Sequence, residues 1–128
     1  LPSGRSLWVG GTSASVKFAE SNFNCAACVI DDLSKFSEMF HLLLCGCGVG
    51  FRIQKNDVAQ VQKLREGVDL TQEAYYPLPA FRRQDETEVN IAGDIAFITV
   101  GDSKEGWVDA LRHYFILMSS GNCEQINM

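Results

Sequence analysis

The chain has 128 residues, 46% hydrophobic and 21% charged, with a formal net charge of −5. That is one domain's worth of sequence with enough apolar residues for a core, which argues against global disorder. The acidic balance argues against a general nucleic-acid binder, no apolar run approaches a membrane span, and no charged start followed by an apolar stretch marks an export signal. Five cysteines do not pair evenly, so a reducing, cytoplasmic setting is expected rather than a disulfide framework.

In chain order, residues 1–11 hold a short apolar burst, Leu7-Trp8-Val9, closed by Gly10-Gly11-Thr12. Residues 13–21 are small and polar around Val16 and Phe18 and read as a loop. Residues 23–30 are apolar and cysteine-rich, the pattern of a strand buried on both faces. Asp31 and Asp32 stand where a helix start takes an acceptor and negative charge. From Leu33, apolar residues at 33, 36, 40, 43 and 44 recur at helical spacing. Gly46, Gly48 and Gly50 are expected to end that helix and bare the amides of the next turn, which an anion then approaches closely. A second strand follows through Ile53.

Val58, Val61 and Leu64, three apart, predict a helix stopped by Gly67, and Pro77, Pro79 and the charged run after Ala80 predict a loop. Val89, Ile91, Ile95 and Phe97 predict a hairpin or two short strands, with Gly93-Asp94 able to turn. Asp102-Ser103-Lys104-Glu105 reads as an N-cap acceptor with Glu three residues on. Trp107, Ala110, Leu111, Tyr114, Leu117 and Met118 then share one helical face that ends at Ser120-Gly121. Residues 123–128 look like the opening of another strand, and the chain reads as a piece of something longer. The expected class is α/β, two principal amphipathic helices packed with several short strands in a single domain over 1–128.

Cys25 and Cys28 form a C-x-x-C, but residues three apart on a strand point to opposite faces. With Cys45 and Cys47 they give a spacing that a structural zinc module tolerates. The plainer reading makes Cys28 and Cys45 small core hydrophobes, with no metal expected. His41 and His113 have no i, i+4 His or Glu partner and read as surface or packed histidines. No P-loop and no G-x-S-x-G is present.

Four strings stand in a characteristic order: Gly4-Arg5-Ser6-Leu7-Trp8-Val9-Gly10-Gly11-Thr12, then Asn24-Cys25, then Gly46-x-Gly48-Val49-Gly50-Phe51, then Lys104-Glu105-Gly106-Trp107-Val108. Together they resemble the N-terminal part of the catalytic chain of adenosylcobalamin-dependent (class II) ribonucleoside-triphosphate reductases, over nearly the whole chain and least in residues 54–90.

The resemblance implies a partial segment of a ten-stranded α/β barrel of the ribonucleotide reductase type. It makes Cys25 one of two cysteines that reduce the ribose and become a disulfide. It places Asn24 beside the substrate, Thr12 near it, and Cys47, Gly48, Val49 and Gly50 at its phosphates. Asp32 matches an acidic residue that meets the ribose of an allosteric deoxynucleotide, with the helix cap as the plain alternative. The helices are implied in a homodimer, and a thioredoxin-like reductant in the parent enzyme. The adenosylcobalamin site, the radical cysteine and the second redox cysteine lie downstream in the family, so the chain alone is expected to be inactive. Two other classes stay open: a standalone nucleotide-binding regulatory module, and the small zinc module.

Overall fold

The computed structural model describes residues 3–74 and 76–128, and it divides into two compact units, Leu1–Val61 and Gln62–Met128. The architecture is mixed α/β, with five helices and two small sheets among the described residues. Neither sheet closes into a barrel.

The first unit opens with α1 (Gly4–Val9) and α2 (Ser13–Lys17), followed by a 3₁₀ turn over Ala19–Asn22. The loop expected over 13–21 is therefore mostly helical turns. Short side chains close them locally: Ser3 accepts from the Ser6 amide at 3.1 Å, and the Thr12 hydroxyl donates to the Val9 carbonyl at 2.6 Å. Such hydroxyl-to-backbone bonds satisfy helix ends that the apolar pattern does not reveal.

A strand–helix–strand unit follows: β1 (Cys25–Val29), α3 (Ser34–Leu44) and β2 (Gly48–Arg52), with β1 and β2 parallel. The Ser34 amide donates to Asp32 Oδ1 at 2.7 Å, so Asp32 serves the helix start as its position suggested. Leu33 is buried, but Leu43 is 48% exposed, so the apolar stripe is covered at its beginning and open near its end. The helix closes in a Schellman motif. Gly46, at φ +82, donates to Leu43 O at 2.9 Å, and Cys47 donates to Leu42 O at 3.0 Å.

After β2 the chain makes a single helical turn, α4 (Lys55–Val58). The longer helix predicted through Leu64 does not form, because Gln60 and Val61 donate to carbonyls three residues back and the turn tightens instead of propagating. The buried Asp57 side chain anchors this corner. It accepts from Arg52 Nε at 3.1 Å, Arg52 Nη2 at 2.9 Å and the Gln54 amide at 3.0 Å. The Arg52 hydrogen bonds hold its carboxyl below the usual carboxylate range, outweighing the upward push of burial.

In the second unit, β3 (Asp69–Thr71), β4 (Glu88–Ala92), β5 (Ile95–Thr99) and β6 (Gln125–Asn127) form one sheet in the order β3-β6-β5-β4. The predicted hairpin is present as antiparallel β4–β5 with Gly93 at φ +61, and the predicted terminal strand is β6. Strand β3 has no counterpart among the sequence-based expectations. It is three residues long, exposed throughout, and is held by parallel pairing to β6. A 3₁₀ turn over Ala80–Arg82 interrupts the loop expected there; Tyr75, just ahead of it, lies outside the described residues.

Helix α5 (Lys104–Ser120) contributes Ala110 and Leu117 to a core with Ala96, Ile98, Cys123 and Ile126. Its cap is Ser103, whose hydroxyl accepts the Gly106 amide at 2.8 Å and donates to Asp85 O at 2.6 Å. Asp102, expected as the cap, instead pairs with Arg83 at 3.0 Å. Gly106 is required by close packing, since a Cβ there would sit 2.6 Å from the Asp85 carbonyl oxygen. Trp107 is 45% exposed, off the buried stripe to which the periodicity assigned it. A half-open groove of about 820 Å³ lies in this unit. On its wall Arg83 pairs with Asp102, and the Asn127 amide donates to Glu73 Oε1 at 2.8 Å.

Candidate functional site

The parallel register pairs Cys25 with Gly48, Ala26 with Val49 and Ala27 with Gly50. Paired residues share a face of the ribbon. Cys25, Ala27, Gly48 and Gly50 therefore form one face, and all four are exposed. Ala26, Cys28, Val49 and Phe51 form the other face; the first three are half-buried and Phe51 is exposed. The strand is thus not buried on both faces as its composition suggested, because no second layer covers the Cys25 side among the described residues of this unit.

This exposed face is shallow by composition. A Cβ at Gly48 would have only Asn24 O nearby, at 3.7 Å, and at Gly50 only Ala26 O, at 4.0 Å. A flat ligand can lie against the two glycines with the Cys25 thiol at the strand's start. A side chain at either position would fill that space without hindering the fold.

Three connections fix the strand starts. The Gly48 amide donates to Asn24 O at 2.8 Å. Arg5 Nη1 donates to Phe23 O at 3.1 Å and to Gly46 O at 2.7 Å. The Cys47 thiol, 3% exposed, donates to Phe23 O at 3.1 Å and Glu20 O at 3.3 Å. The structure thus brings Asn24, Cys25, Cys47, Gly48, Val49 and Gly50 together. Arg5 stands between Gly4 and Ser6 in the first motif string, a setting that does not disclose its carbonyl partners.

The open amide cradle expected of the glycine loop is not formed. The Gly46 and Cys47 amides close the α3 Schellman motif, and the Gly48 amide pairs with Asn24. Helix termination and strand pairing both demand those donors. The glycines instead give room above the ribbon. Cys47 has its side chain turned into the protein.

Thr12 stands at the start of α2 with its hydroxyl on Val9 O, and no bond joins it to the Cys25 face. Asp32 lies beyond the far end of β1, about 13 Å of strand from Cys25 by the ordinary rise per residue. The two positions therefore serve separate places on the fold.

The four cysteines of the zinc alternative do not converge. Cys25 and Cys28 take opposite faces, Cys47 Sγ meets backbone carbonyls, and Cys45 Sγ lies 3.6 Å from His41 Nε2. Among the described residues no group of three or more His, Cys, Asp or Glu side chains is placed to hold a metal ion. No helix among them is long and apolar enough to cross a membrane.

No family model and no solved structure matches the chain. Curated relatives do match, and they carry the resemblance read from the motifs. The chain is 30% identical over 136 aligned positions to a protein of Levilactobacillus brevis named adenosylcobalamin-dependent ribonucleoside-triphosphate reductase. It is 27% and 28% identical to proteins of the same name from Lactobacillus leichmannii and Lactobacillus acidophilus. Each match covers 84% of this chain and 18% of the relative, so the chain spans less than a fifth of the length of these relatives.

Proposed function

We propose that this chain is a segment of an adenosylcobalamin-dependent ribonucleoside-triphosphate reductase, and that it supplies one redox cysteine and the floor of the substrate site. The observation that supports this most is the pairing of an exposed cysteine, Cys25, with Gly48 on an uncovered ribbon face. It is joined by the likeness to reductases over 84% of the chain.

In this reading the ribonucleotide lies against Gly48 and Gly50 with its ribose at Cys25. Asn24, adjacent to the thiol, orients the sugar, and Thr12 lies near it. The phosphates pass over the Cys47–Gly50 segment, using the space left by the glycines, while the Gly46, Cys47 and Gly48 amides stay in their structural roles. Radical formation at the 3′ carbon is initiated elsewhere in the parent enzyme. The 2′ hydroxyl then leaves as water. Two thiols together supply two electrons and two protons, and become a disulfide. Cys25 is one of those thiols; its partner lies outside this chain. A thioredoxin-like protein reduces the disulfide.

Asp32 is proposed to meet the ribose of a deoxynucleotide effector while capping α3, and α3 and α5 to take part in a homodimer of the parent. Adenosylcobalamin supplies radical initiation in the relatives' class. No residue of this chain is assigned to it: His41 faces Cys45, and Cys25, the exposed cysteine among the described residues, is the reductant. The segment belongs to a ten-stranded barrel in the parent, to which β1 and β2 contribute adjacent parallel strands.

The test is an anaerobic assay with adenosylcobalamin, a dithiol and ribonucleoside triphosphates, run on the 128-residue chain and on the longer polypeptide carrying it. Deoxynucleotide formation by the longer polypeptide alone is expected. Turnover by the 128-residue chain itself, or by neither, would overturn the reading.

A further inference from the structure

We infer that Arg5 is a positioning residue for the candidate site: its guanidinium fastens the starts of β1 and β2 and so fixes Cys25 against Gly48. The inference deepens the proposed function and rests on it for its catalytic meaning, although the geometry stands independently.

The ladder between β1 and β2 has its first backbone rung at Asn24 O and Gly48 N. One step earlier no backbone bond joins the two strands among the described residues. Gly46 sits at φ +82 and its amide belongs to the α3 cap, while Cys47 N is bound to Leu42 O. Without Arg5, Gly46 O would lose the guanidinium donor and Phe23 O would keep only the Cys47 thiol. Arg5 Nη1 provides that donor, at 3.1 and 2.7 Å. A charged donor shared by two carbonyls stabilises more than a neutral one. Phe23 and Gly46 each lie two residues before the paired Cys25 and Gly48, so the cation acts as the missing rung at the end of the ribbon where the thiol stands.

Gly46 is shaped to this contact. A Cβ there would stand 3.3 Å from Arg5 Nη1, in addition to the strain of positive φ. The Cys47 thiol donates to the same Phe23 carbonyl from a second direction. Arg5 therefore links a helix near the start of the chain, α1, to two strand starts that are distant from it in sequence.

The test is native-state amide exchange on the 128-residue chain, with and without Arg5→Ala. The Gly48 amide should lose protection by about tenfold or more, the usual net worth of a hydrogen bond to a charged group. Ile30, whose amide donates to Arg52 O at the far end of the same ladder, should change little. An unchanged Gly48 amide would overturn the inference. Equal loss at Gly48, Ile30 and α3 would also overturn it, by showing general stabilisation in place of local positioning. In the active parent enzyme, Arg5→Ala should lower kcat while leaving the substrate KM within about threefold. A parent with no reductase activity would defeat the proposed function and leave the exchange result standing. An unchanged Gly48 amide in an active reductase would defeat the positioning role alone.

Discussion

Cys25 stands directly across a parallel ladder from Gly48, and the carbonyl of its neighbour Asn24 accepts the Gly48 amide at 2.8 Å. A thiol and a residue without a side chain thus share one uncovered face. If that face receives the ribose, Cys25→Ser in the parent enzyme should abolish repeated turnover with a dithiol, because a hydroxyl cannot form the disulfide. The variant's substrate Kd should stay within about threefold of wild type, as befits a group acting in the chemical step. Rapid-quench measurement of deoxynucleotide yield checks this.

Gly48→Val tests the floor. Gly48 is not at positive φ, and its added Cβ has 3.7 Å to the nearest atom, so the fold should tolerate the change. In the proposed function the valine would occupy the space taken by substrate. We expect a thermal midpoint within a few degrees of wild type, and a KM raised about tenfold, equivalent to about 1.4 kcal/mol of lost binding. Steady-state kinetics beside a melting curve separates the two effects.

Gly46→Ala should do the opposite, harming the fold rather than opening or filling the site. A side chain at φ +82 costs about 1–2 kcal/mol, and contact with Arg5 adds to that. Equilibrium urea unfolding should show a lower midpoint with an unchanged slope.

The Arg52–Asp57 corner carries a pH signature. Asp57 has its folded pKa lowered by the Arg52 hydrogen bonds, so its ionised form stabilises the native state. That contribution is present above the unfolded carboxyl value, about 3.9, and is lost as pH falls through the lower folded value. Asp57→Asn should therefore be less stable than wild type at pH 7, with the gap narrowing below about pH 4. Chemical unfolding of both proteins at pH 7 and pH 3 measures it.

Much of the secondary structure was legible because it obeys a single period. The spacing through Leu117 disclosed α5, Gly93-Asp94 disclosed the hairpin, and Gly46 disclosed the end of α3. What the sequence concealed depends on partners distant along the chain. Strand β3 exists through its pairing with β6 and has no buried face to announce it. The exposure of Cys25 and Ala27 reflects the absence of a covering layer, which composition cannot report. Of the site, the cysteine, the glycines and their proximity were readable from spacing and resemblance. The engaged amides of Gly46, Cys47 and Gly48, and the bridging role of Arg5, required the three-dimensional arrangement.

The most direct test of the account is to follow the Cys25 thiol through one turnover. The longer polypeptide, fully reduced and then freed of dithiol, is given adenosylcobalamin and a ribonucleoside triphosphate, quenched, alkylated and mapped by mass spectrometry. The account predicts that Cys25 becomes protected in a disulfide with a cysteine outside this segment, in step with the deoxynucleotide formed, while Cys28 and Cys47 remain thiols. Deoxynucleotide formed with Cys25 still freely alkylated would contradict it.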